Sequence, residues 1–303
     1  MLQVLLDSLV RSSQLALLAI GLTMVYSVLR FPNFSHVEFA PLGAYLALAF
    51  ISAISLPLAL AAPAAIVLTG LFGLLADRAV FKRLRGRPPA LLLIASFALG
   101  IIMRESIQAI WGPSPHLYPL GDMRIPMMIL DARISLIQIS IIASAASCMV
   151  LFHVLLNHTR LGMAMRATAD NRDLAEGSGI PAERVILWIW FIGAAFAGLG
   201  GILLALDTQL FPMMGFGIII PVFAAVLIGG IGRPYGAMLG ALIVGFAENI
   251  GLEINWAPVL ELVGVATSGY VYIPTGYKEA IPFIFLILVL LVRPHGLLGG
   301  RRS

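Results

Sequence analysis

Residues 90–111 read ALLLIASFALGIIMRESIQAIW. The stretch is apolar all round, not at alternate positions, and it is as long as the roughly twenty residues an α-helix needs to cross a hydrocarbon layer about 30 Å thick. The other structure that spans a bilayer, a closed barrel, needs alternating strands of roughly ten residues, so this segment excludes it. Similar runs recur near residues 12–30, 36–54, 58–80, 134–156, 184–206, 216–231, 236–251 and 280–293. The 303 residues are 60% hydrophobic and 11% charged, with a mean hydropathy of +1.00. The expectation is an all-α polytopic membrane protein of about 8–10 transmembrane helices, some broken or re-entrant, forming a single membrane domain over residues 1–303.

In a soluble chain a net charge of +4 and a pI near 9.5 would suggest nucleic acid. Here the basic residues lie between apolar runs, where they set orientation, and no nucleic-acid partner is expected. Arg30, then Lys82, Arg83, Arg85 and Arg87, then Arg160, Arg166, Arg172 and Arg184, then Arg233, and last Arg293, Arg301 and Arg302 fall on alternate links. They share one face, which the positive-inside rule makes cytoplasmic. The other face, residues 112–131, 207–215 and 252–279, carries chiefly Arg124 and Lys278. The N-terminus is therefore expected outside and the C-terminus in the cytoplasm. Asp7 and Arg11 precede the first apolar run with no small-residue cleavage site after it, which predicts a retained helix and not a signal peptide.

The chain offers little enzyme chemistry. Cys148 is the single cysteine and reads as a packing residue. The five histidines, His36, His116, His153, His158 and His295, are scattered, without metal-ligand spacing or a nucleophile–base pair. No G-x-x-x-x-G-K-[ST] motif occurs, so no metal or cofactor site is expected in this chain and any ATP and Mg would be bound elsewhere.

Against this background RATADNRDLAEGSGIPAERV, residues 166–185, is unusually polar. It sits in the longest excursion on the basic face, residues 160–183. Arg166 with Asp170 and Arg172 with Glu176 have i,i+4 spacing, Gly177 and Gly179 stop the pattern, and Pro181 with Glu183 suits the first turn of the next helix. A surface helix that docks a cytosolic partner fits the stretch, and so does a solvated connecting loop.

A resemblance separates the two. Arg166, Ala167, Asn171, Ala175, Gly179 and Ile180 match the cytoplasmic coupling loop of LivH-type permeases of branched-chain amino acid ABC importers. GLTMVYSVLRFPNFSHVEFAPLGAYLA, AAVLIGGIGRPYGAMLGALIVGFAENI and the terminal RPHGLLG are similar to the same family, from about residue 20 to about residue 298. The resemblance implies an all-α permease subunit of the bacterial inner membrane, not an enzyme itself. It would pair with a second, LivM-type permease, dock two cytosolic ATPases through Arg166, Ala167, Asp170, Asn171, Ala175, Gly179 and Ile180, and receive substrate from an extracytoplasmic binding protein. The substrate would be a branched-chain or hydrophobic amino acid or a related small solute. Val37, Pro41 and Arg233 depart from the family pattern and leave pore shape open.

The residues also have a physical reading of their own. Pro32 follows the first helix, Ser35 and Glu38 have capping-box spacing, and Phe34 with Phe39 suits a hydrophobic staple. Asn33, Ser35, His36, Glu38 and Gly43 therefore either begin a helix or line a watered path at membrane depth. Gly229, Gly230, Gly232 and Gly236 either pack helices closely or form a mobile break, and GAAFAGLGG, residues 193–201, repeats the close-packing device. The RFPNFSH and GGIGRPYG turns occupy corresponding places in two halves. Arg104 and Glu105, and Glu248 and Asn249, are intramembrane polar groups, each read as a helix-tying contact or a path residue. The competing function is an ion-gradient-driven secondary transporter using Glu248, Glu105 or His36 as a proton relay.

Overall fold

The computed structural model describes residues 1–119, 125–129, 132–262, 269–278, 280–293 and 296–298. Arg124, His295, Arg301 and Arg302, read above as orientation signals or scattered histidines, lie outside these residues.

Helix α1 (Leu2–Leu29) ends where Arg30 turns left-handed at φ 56° and returns its N–H to the Tyr26 carbonyl. A 3₁₀ turn, Phe34–Glu38, leads into α2 (Phe39–Ile54). Helix α3 (Leu58–Ala76) continues through a π-helical turn, Asp77–Phe81, into the short α4 (Lys82–Leu84). Helix α5 (Pro89–Trp111) starts on proline, which needs no N–H there. A hairpin of β1 (Pro126–Ile129) and β2 (Ala132–Ser135) precedes α6 (Leu136–His158), opened by a reciprocal capping box of Ser135 and Gln138. Then come α7 (Arg160–Asp170), α8 (Arg172–Gly177), α9 (Ala182–Asp207), α10 (Met214–Gly217), α11 (Ile219–Gly229), α12 (Pro234–Glu253), α13 (Ala257–Leu262) and α14 (Ala280–Val292).

Among the described residues seven helical segments are long and apolar enough to cross a membrane, and Met214–Gly229 and Ala280–Val292 add two shorter apolar ones. Each of the nine apolar runs is thus helical. The first begins at Leu2, not near residue 12, because Asp7 and Arg11 find partners inside the fold: Gln3 for Asp7 and Glu248 for Arg11.

Burial sorts the helices. In the most apolar windows of α1 and α9, 78% and 72% of residues are buried, against 22% in α5 and α6, so α1 and α9 form the centre. The crossings there are made by small residues. Gly21 of α1 lies against the Gly193 carbonyl, Gly43 of α2 against the Gly198 backbone, and Gly201 against the Ala40 carbonyl. Helices in lipid gain no hydrophobic stabilisation from meeting each other, so close backbone approach at glycine is what holds them.

Candidate translocation path and coupling face

The Phe34–Glu38 turn places Asn33, Ser35, His36 and Glu38 inside the helix bundle, all at most 4% exposed. Its local bonding differs from the capping box that the spacing suggests. Ser35 Oγ donates to Asn33 Oδ1 at 2.7 Å, the Phe34 N–H donates to Ser96 Oγ at 3.1 Å, and no side-chain cap forms. Glu38 reaches instead towards Arg104 of α5, Oε1 to Nη1 3.9 Å. Phe34 does not staple to Phe39: it stacks on Phe223 with centroids 4.8 Å apart and meets Phe97 edge-on at 5.8 Å.

Between these groups is a cavity of about 70 Å³ lined by Phe34, Glu38, Phe97, Gly100, Arg104 and Phe216, with Ile101 and Ile219 beside them. The Glu38 carboxylate is loosely held, and Oε2 is buried without a hydrogen-bond partner. The Arg104 guanidinium lies 5.5 Å from the Phe216 ring centroid and 3.4 Å from Glu105 Oε1, and Glu105 itself points outward. A carboxylate and a guanidinium thus face one small space walled by aromatic rings.

The glycines divide by role. Gly229 and Gly236 lie backbone against backbone where α11 crosses α12, and Gly240 against the Ala225 carbonyl. Gly230 (φ 106°) and Gly232 (φ 80°) make the turn between those helices, in conformations that a side chain resists. Gly43 serves the α2–α9 crossing.

Glu248 and Asn249 are not at the Glu38 cavity. Glu248 is fully buried and accepts from Arg11 Nε at 2.7 Å; Asn249 donates to the Gly245 carbonyl and accepts from Lys278 Nζ at 3.1 Å. Asn249 borders a second cavity, of about 310 Å³, with Asp7, Arg11, Gln14, Asp207 and Lys278, and Glu248 lies behind Arg11. Burial, and then the Arg11 cation, lowers the pKa of Lys278. Gln14, which donates to Asp207 at 3.1 Å, and Asp207 itself lie outside every motif of the sequence. The available signal was a charged residue near the end of an apolar run.

The polar excursion folds as two helices, not one. Asn171 breaks them apart and caps the second, its Oδ1 accepting from the Leu174 N–H at 3.1 Å. Arg172 pairs with Glu176 at 3.1 Å as the spacing predicts. Arg166 and Asp170 form no ion pair; Arg166 donates to Asn157 Oδ1 at 3.4 Å instead, and both border a cavity beside Tyr235. Ala167 accepts the Asn171 N–H, Gly179 turns at φ 85°, and Ile180 donates to the Ala175 carbonyl. Pro181 sits just ahead of α9, at its N-cap and not its first turn. Ala175 is buried (4% exposed), whereas its neighbour Leu174 is 68% exposed.

Ionic bonds tie this face to the bundle. Arg172 Nη2 donates to Glu183 Oε1 at 2.7 Å, Arg85 Nη1 donates to the same carboxylate at 2.7–2.8 Å, and Arg85 Nη2 holds the fully buried Asp77 at 2.5–2.6 Å. Arg30, at the end of α1, donates to the Ala169 carbonyl at 2.8 Å. Two short charge-assisted bonds from Arg85 offset part of the cost of burying Asp77. For Arg172, burial opposes the charge, and the bonds from Glu176 and Glu183 outweigh it and raise its pKa.

Glycine-packed apolar helices, a charged pair at an internal cavity and an ion-tethered polar helix pair at one end define a multi-pass membrane protein built for transport. The sequence matches, over residues 4–290, the family described as branched-chain amino acid transport system / permease component, and the chain belongs to that family. Among relatives, it is 32% identical to the Pseudomonas aeruginosa high-affinity branched-chain amino acid transport system permease protein BraD, covering 98% of this chain and 95% of that one. It is 29% identical to LivH of Escherichia coli K12 over the same shares, and 28% identical to the probable permease LivH of Methanocaldococcus jannaschii over 96% of this chain and 90% of that one. A solved structure, PsaBC from Streptococcus pneumoniae in complex with Fab, shares the fold at a TM-score of 0.50 and 14% identity, covering 95% of this chain and 91% of that chain.

Proposed function

We propose that this chain is the membrane permease subunit of an ABC importer for branched-chain or similar hydrophobic amino acids, set in a bacterial inner membrane. A second, LivM-type permease encloses the path with it, two cytosolic ATPases supply ATP and Mg chemistry, and an extracytoplasmic binding protein delivers the substrate. The basic end, where Arg30, Arg85, Arg172 and Arg233 lie, faces the cytoplasm, and the end with Asp7, Asp207 and Lys278 faces outward.

The observation that carries this reading is the α7–α8 pair. It offers an exposed surface at Leu174 and Arg166, and it is joined through Arg172, Glu183 and Arg85 to Asp77 in α3's π-turn. A force applied to α8 therefore reaches the membrane helices through bonds, not through slack chain. Exchange between two packings of those helices opens the path on alternate sides. A transporter driven by an ion gradient has no use for that linkage, and family membership speaks against it.

The test is purification of the tagged chain in mild detergent from its native membrane, followed by uptake of L-leucine into proteoliposomes. Recovery of P-loop ATPases and a second permease, with uptake that requires internal or external ATP on the ATPase side, is the expected result. Uptake by the chain alone under an ion gradient, without ATP, would overturn it.

A further inference from the structure

We infer that Glu38 and Arg104 form the head-group reader of the path: a split ion pair that accepts the ammonium and carboxylate of a zwitterionic α-amino acid. This rests on the transport function proposed above and names which part of the substrate the chain recognises.

The pair is built as a receptor and not as a lock. Its closest approach is 3.9 Å, beyond hydrogen-bond length, and Glu38 Oε2 is buried with no partner although the residue is only 4% exposed. A buried carboxylate oxygen left unpaired is costly, so a site that keeps one has a use for it. Arg104 is equally available: its side chain is 15% exposed, and its closest anion is the outward-pointing Glu105 at 3.4 Å. The cavity between them, about 70 Å³, has room for roughly two waters, which suits charged head groups and not a whole amino acid.

The walls complete the match. Phe34, Phe97 and Phe216 wall the space with aromatic carbon, and Ile101 and Ile219 add apolar surface beside it for the start of an aliphatic side chain. Gly100 lines the space and Gly215 packs against Glu38: a methyl at Gly215 would come within 2.8 Å of Glu38 Oε2, and one at Gly100 within 3.4 Å of Glu38 Cγ. Neutral solutes such as urea or a simple amide would leave both charges unanswered, so the site favours amino acids over them.

The assembled transporter, with its ATPases and binding protein, is placed in phosphatidylglycerol vesicles, which contain no zwitterionic lipid headgroup to compete, and L-leucine uptake is measured. Arg104→Gln is expected to lower uptake by about tenfold or more, and Arg104→Lys to retain most of it. The double variant Glu38→Gln/Arg104→Gln, which buries no unpaired charge, is expected to assemble and to remain as slow as Arg104→Gln. Wild-type uptake in the double variant would overturn the assignment, because the pair would then only balance its own charge. Wild-type uptake in Arg104→Gln would overturn it as well. If the unaltered transporter takes up no L-leucine at all, the transport reading fails first and the head-group assignment with it.

Discussion

Arg172 of α8 and Glu183 of α9 meet at 2.7 Å across the Gly177–Pro181 turn, and Glu183 is shared with Arg85. The pair ties the polar helices to the bundle at a point where the backbone itself turns freely through Gly179 (φ 85°). Glu183→Ala releases α8 from that tie and leaves Arg85 its stronger partner, Asp77. We expect normal yield and retained ATP hydrolysis in the assembled transporter, with substrate transported per ATP several-fold lower. Unchanged stoichiometry would show that the turn is held by other contacts.

Arg85→Ala should behave differently. It leaves the fully buried Asp77 without its hydrogen-bonded cation, and breaking a buried pair costs about 3–5 kcal/mol. Thermal unfolding of the purified chain checks this: a large loss of Tm is expected, recovered in part by the double variant Arg85→Ala/Asp77→Ala. The same logic applies to Arg11→Met, which strands buried Glu248.

Leu174 and Ala175 are adjacent in sequence and opposite in environment, 68% and 4% exposed. Leu174→Glu is expected to fold normally and to weaken recovery of the ATPases. Ala175→Glu forces a carboxylate into the packed side of α8, and the expected result is loss of folded protein. Membrane yield and ATPase co-purification, measured on both variants, separate the two effects.

Gly201→Ala places a methyl into the Ala40 carbonyl, where backbone cannot move aside as a side chain does. Overpacking of this kind costs about 1–3 kcal/mol, read as a lower Tm. Gly177→Ala meets nothing within 4 Å and should leave Tm unchanged.

Much of this fold is legible in the sequence because lipid imposes a single demand, an apolar helix about twenty residues long, and each run states it locally. The starts of helices were harder. Asp7 and Arg11 suggested that α1 begins after them, yet Arg11 is accommodated by Glu248, 237 residues away. Ser35 and Glu38 matched a capping box by spacing, but Asn33 takes the Ser35 hydroxyl and α5 presents Arg104 to Glu38. Arg85 bridging Asp77 and Glu183 spans 98 residues and leaves no local pattern. The family motif marked the Arg166–Ile180 stretch, but only the folded helix tells which of its side chains, Leu174 and not Ala175, faces out.

The most direct test of coupling through α8 replaces the lone cysteine, Cys148, with one at position 174. In a Cys148→Ala background, Leu174→Cys is treated with a short bifunctional thiol crosslinker in native membranes, with cysteine-bearing ATPases present. A covalent adduct between the chain and a P-loop ATPase, changing in yield when ATP is bound, is the expected result. Absence of any such adduct, with an active transporter in the same membranes, would contradict it.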